Sequence, residues 1–122
     1  MDGDRLVPSP AGLAPDARKL WRDTQRQLRR QGTWEDTDSP LLESYVRAVA
    51  LARSARAAAS ERPFIGGSKG QLVAHPGLRV AAEAERDACR FAQALLLTPQ
   101  ARARHDVKPP AEDFEPLIEL LG

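Results

Sequence analysis

The chain has 122 residues, 42% hydrophobic but only 5% aromatic, which suits one small domain and is too little for two independent cores. Much of the apolar fraction is alanine, which removes little surface from water, so a lone copy is expected to be marginal and self-association is favoured. A net charge of +1 from 18 basic and 17 acidic side chains gives no overall pull toward a polyanion, and a single cysteine excludes an intrachain disulfide.

Residues 1–12 hold two prolines and two glycines and read as a flexible lead-in. From Pro15, Leu13, Ala17, Leu20, Trp21, Thr24 and Leu28 recur at three- and four-residue steps until Gly32, which predicts a first helix. Arg18, Arg22, Arg26 and Arg29 run roughly opposite that apolar stripe. With Lys19 and Arg30 against Asp16 and Asp23, residues 15–31 carry 6 − 2 = +4. Such a stripe is either a solvated face or an anion-binding one, and arginine, which pairs bidentately with phosphate, suits the second reading.

An acidic linker, "GTWEDTDSP", holds Trp34 and leads to Ser39 as expected N-cap and Pro40 as first helical residue. The second helix is predicted to about Ala59, with Leu42, Tyr45, Val46, Val49 and Ala52 inward. Arg53 and Arg56 then continue that face, and they join the first helix's patch if the two helices pack as an antiparallel pair. "PFI" and "QLV" flank "GGSKG", which predicts a small hairpin or loop over residues 63–74. A phosphate-cradling loop would need Gly-x-x-x-x-Gly-Lys-Ser/Thr running straight into a helix. Here Lys69 precedes Gly70, and the next helix starts only at His75-Pro76.

The third helix is expected to turn Leu78, Ala81, Ala82, Ala88, Cys89, Ala92, Leu95 and Leu96 inward, with Glu83, Arg86, Asp87 and Arg90 solvated. Thr98-Pro99 opens a short fourth helix to about His105. After "VKPP", Phe114, Leu117, Ile118 and Leu121 fall at i, i+3, i+4 and i+7 among Glu112, Asp113, Glu115 and Glu119. That pattern predicts an acidic amphipathic tail helix, which either packs on its own core or docks on a partner. His75, His105 and Cys89 stand without neighbours at metal-site or triad spacing, so no catalytic residue, metal or cofactor is expected. No stretch approaches ~18 consecutive apolar residues, so no membrane span is expected, and the lone cysteine fits a reducing compartment.

The order "LAPDARKLWRDTQRQLRRQG", "LLESYVRAVALARSA", "GGSKGQLVAHPGLRV" and "LLLTPQARAR" resembles the small terminase subunit of tailed bacteriophages. That family carries a tryptophan-bearing first helix, a tyrosine-bearing second, a G-x-x-G…HP link and a closing L-T-P-x-x-R-x-R. The similarity covers about residues 13–106. It implies a non-enzymatic ring of many protomers in the host bacterial cytoplasm that recognises the packaging initiation region of double-stranded phage DNA and regulates the large ATPase/nuclease subunit.

Carried onto this chain, the resemblance makes Arg18, Lys19, Arg22, Arg26, Arg29 and Arg30 the expected DNA contacts. It makes Phe114, Leu117, Ile118 and Leu121 the expected anchors for the large subunit or a ring neighbour. The fold class expected is an all-α small helical domain with an N-terminal helical pair, a short hairpin or loop between the second and third helices, and the amphipathic tail. Residues 1–12, 13–106 and 107–122 are expected as lead-in, DNA-binding and oligomerisation domain, and hinge with tail. Two other readings stay open, a helical protein–protein adaptor and a dimeric helix-turn-helix regulator.

Overall fold

A proline in the first turn starts each of four helices in the computed structural model, which describes residues 5–107. Proline tolerates that position because its missing N–H would lack an intrahelical partner anyway. The expected tail helix, with Phe114, Leu117, Ile118 and Leu121, lies outside the described residues. Helix α1, Pro15–Arg30, buries Ala17, Leu20, Trp21, Thr24 and Leu28 as the periodicity predicts. It ends where Gly32 takes a φ of +78°, with Gly32 N–H donating to the Arg29 carbonyl and Thr33 N–H to that of Leu28. That pair of reversed bonds satisfies carbonyls the helix leaves open and needs a residue at ease with positive φ.

Helix α2, Ser39–Glu61, follows a single 3-10 turn, Asp36–Asp38. Ser39 is not the N-cap expected from the sequence. It is already helical, and its hydroxyl donates to the Asp36 carbonyl at 2.7 Å. Strands β1, Phe64–Gly66, and β2, Leu72–Ala74, pair antiparallel with Ile65 opposite Val73, so the predicted hairpin is present. Its turn is closed by Gly67 and Gly70, the latter at a φ of +79°. Helix α3, Pro76–Ala94, is capped by His75, whose Nδ1 accepts from Gly77 N–H at 2.9 Å. Helix α4, Pro99–Arg104, is capped by the Thr98 hydroxyl, which accepts from Ala101 N–H at 3.1 Å.

The main core lies at one end, where α1 meets the first half of α2. Trp21, Leu28, Leu42, Tyr45 and Val46 are buried there, and Leu95 and Leu97 close it from beyond α3. The N-terminal pair α1–α2 packs as expected, and the most extensive pairing is between α2 and α3. The two helices run out as an arm tipped by the hairpin. Their buried apolar residues past Val46 are small, Ala52 and Ala59 on α2 and Ala81 and Ala84 on α3. Small side chains let the backbones approach closely: a Cβ added at Gly77 would sit 2.8 Å from the Ala55 carbonyl oxygen.

Two further expectations about α3 are corrected by the same architecture. Cys89 is exposed, because no third helix among the described residues covers that side of the α2–α3 arm. Leu96 is only half-buried while Leu97 is buried, because the chain reverses at Leu96 with a φ of 63° and presents the next side chain to the core. Residues 5–12, read from the sequence as loose, are tied at Val7. Its N–H donates to Gln25 Oε1 at 2.7 Å, and its carbonyl accepts from Trp21 Nε1 at 2.8 Å.

Candidate nucleic-acid interface

At about 100° per residue the basic side chains Arg18, Lys19, Arg22, Arg26, Arg29 and Arg30 fall within an arc of roughly 120° on α1. The buried residues of α1 fill the rest of the circumference apart from Asp16 and Asp23. Five of the six bases are exposed, and Arg29 is partly covered, with 22% of its side chain accessible. The covering follows from position: Arg29 borders the buried Gln25, donating to Gln25 Oε1 at 3.3 Å and pairing with Asp36 at 3.4 Å.

The other bases differ in how far they are already engaged. Asp23 is shared by Lys19 at 2.7 Å and Arg26 at 3.8 Å. Arg18 donates to the Leu13 carbonyl at 2.6 Å, which leaves its positive charge uncompensated. Arg22 and Arg30 form no ion pair with a carboxylate among the described residues. Exposed pairs contribute only ~0–1 kcal/mol, so a phosphate can displace Asp23 or Asp36 at small cost. The arc can therefore follow a polyanion's backbone through guanidinium–phosphate contacts, which position a protein without reading base sequence.

Arg53 and Arg56 do not simply extend this arc. Arg53 lines a shallow hollow with Leu13, Asp16 and Ala17 at the start of α1, so it lies near the arc's Arg18 end. Arg47, which the sequence reading did not single out, borders the same hollow and is paired with Glu43 at 2.8 Å. Its charge is legible in the sequence, but its place beside the first turn of α1 depends on the helix crossing. Arg56 turns instead to α3, where it pairs with Glu85.

Both arginines also border a second feature that sequence reasoning missed. A groove of about 740 Å³ runs between α2 and α3, lined by Tyr45, Val49, Ala52, Ala88, Ala92 and Leu97, with Cys89 at its wall. Its origin is the alanine content of both helices, which leaves open space where larger side chains would meet. The Tyr45 hydroxyl there is pushed up to about 12 by burial, which Arg53 opposes and Cys89 reinforces. The phenol is thus neutral at physiological pH.

Lys69 sits exposed at the hairpin turn, and its backbone N–H donates to Gln71 Oε1. The strand that follows, not a helix, takes up the chain, so the glycine-rich stretch is a connector. Among the described residues no group of three or more His, Cys, Asp or Glu is placed to hold a metal ion, and no helix is long and apolar enough to cross a membrane.

The sequence model of the family described as phage terminase, small subunit, matches residues 17–112. No curated protein and no solved structure matches the chain.

Proposed function

The chain belongs to the phage terminase small-subunit family, and from that premise we propose that it is a non-enzymatic, ring-forming DNA-binding subunit of the genome-packaging apparatus. It recognises the packaging initiation region of double-stranded phage DNA and regulates the large ATPase/nuclease subunit in the host cytoplasm. The carrying observation is the outward arc of bases on α1, backed by a fully buried opposite side. Residues 13–106 form the DNA-binding and oligomerisation unit. The α2–α3 arm supplies surface for neighbouring copies, with Leu51 and Val80 exposed along it. Repetition around a ring turns modest phosphate binding by one protomer into avidity that falls steeply with salt.

A dimeric helix-turn-helix regulator fits the geometry less well. Such a motif joins its helices by about three or four residues, whereas residues 31–38 separate α1 from α2 and include a 3-10 turn. A purely protein-binding adaptor would leave the α1 arc solvated, and salt dependence separates the two readings.

The test is DNA affinity of the intact protein and the R22E/R26E double variant across a salt series. Loss of two phosphate contacts lowers the log–log salt slope by about 1.8 for each engaged protomer, about twelve-fold in affinity between 50 and 200 mM salt. The variant is expected to bind more weakly with a shallower slope and an unchanged oligomer mass. Equal affinity and slope would remove α1 from the DNA surface.

A further inference from the structure

The α2–α3 groove is an apolar channel edged by arginine, and the chain itself contains a segment of complementary character. The lining is made of Tyr45, Val49, Ala88, Ala92 and Leu97, with Arg53 and Arg56 at the rim and Glu85 the one carboxylate among the lining residues. Residues 111–121 carry Phe114 just ahead of Pro116, which suits the first turn of a helix, then Leu117, Ile118 and Leu121 on one side of the turns that follow, with four carboxylates and no base. Greasy side chains of that size suit a channel walled by alanine, and the acidic residues suit a rim whose arginines outnumber its carboxylate.

Length and position agree as well. Tyr45 and Ser60 mark the extent of the groove along α2, about 22 Å at 1.5 Å per residue, and residues 111–121, extended up to Pro116 and helical after it, span about 25 Å. Leu97 and Thr98 line one end of the groove, and α4 begins immediately after them. The chain then reverses, with Asp106 at a φ of 55° and Val107 N–H donating to the Arg102 carbonyl. Val107 is therefore within about 15 Å of Thr98, and three spacer residues reach about 10 Å further. A segment tethered this closely meets the groove at an effective concentration in the millimolar range, which favours the chain's own tail over a free competitor.

We infer that residues 111–121 dock in the α2–α3 groove of the same chain, covering Cys89 and setting their carboxylates against Arg53 and Arg56. The inference goes beyond the DNA-packaging reading, and its test involves no nucleic acid, so the two can fail separately. Cys89 is the chain's sole cysteine and lies exposed in the wall of the groove, which makes it a clean reporter.

The experiment compares maleimide alkylation rates of Cys89 in the intact protein and in an F114D/L117D variant, whose changes lie outside the described residues. Alkylation is expected to be at least ten-fold slower in the intact protein. Equal rates, whether both fast or both slow, would overturn the proposal. A mixing arm identifies the source of the covering segment: F114D/L117D protomers are co-assembled with an excess of C89A protomers carrying an intact tail. Cys89 is expected to stay fast-reacting in the mixture; restored protection would mean that a neighbour's tail fills the groove and would overturn docking within one chain.

Discussion

Raising the pH from about 8.5 to 11.5 should destabilise this protein through its sole tyrosine. Tyr45 has an ordinary value of 10 when unfolded and about 12 in the native groove, where burial disfavours the phenolate. The unfolded state therefore releases its proton first, and the native state loses stability as the solution becomes more alkaline. The contribution is complete below pH 10 and is lost as pH climbs through the interval from 10 to 12. At pH 11 the unfolded phenol is mostly ionised and the native one mostly neutral, which amounts to about 1.4 kcal/mol. Urea unfolding of the intact protein and Y45F at one fixed protein concentration isolates this term, since the titrations of other groups are common to both. The stability difference between them is expected to change by about that amount between pH 9 and 11, while phenolate absorbance of the native protein stays low at pH 10.5. Parallel stability curves, or full phenolate absorbance in the folded protein at that pH, would refute the argument.

Replacing Gly77 by alanine would ordinarily favour a helix, but the new Cβ would stand 2.8 Å from the Ala55 carbonyl oxygen and 3.0 Å from His75 Nδ1. A net loss of about 1–2 kcal/mol is expected in denaturant unfolding; because the obstacle at Ala55 is backbone, adding A55G should not restore stability. Gln25 is fully buried and bonds to both the N–H and the carbonyl of Val7. Q25A is expected to cost about 2–4 kcal/mol and to speed proteolysis within residues 5–12, and an unchanged cleavage rate would mean that this tether is dispensable. Deleting residues 109–122 should preserve the oligomer's mass and its DNA binding; collapse to monomers in native mass measurement would make the tail part of the contact between copies.

The α1 arc was legible because its informative property is angular. A helix with a buried side and bases confined to the remaining 120° or so announces both from spacing alone. What spacing does not carry is how each base is engaged. Arg29 is drawn toward Gln25 and Asp36, and Arg56 is claimed by Glu85 from a helix some thirty residues away in the chain. The groove was hidden for a related reason: each alanine of α2 and α3 reads as a weak core residue, and only the pairing of two such helices reveals space left between them.

Local chemistry was therefore determined by sequence alone: the proline starts, the Gly32 stop, the His75 and Thr98 caps, the hairpin turn and the basic side of α1 all follow from interactions spanning a few residues. Long-range partnership was decided only in three dimensions. How far α2 pairs with α3 depends on which surfaces can approach closely, and Gly77, where an added Cβ would stand 2.8 Å from the Ala55 carbonyl oxygen, is one place where that approach needs a missing side chain. The same holds for the strap at Val7, because a buried glutamine can be satisfied by any backbone that passes, and nothing in its own neighbourhood says which one will.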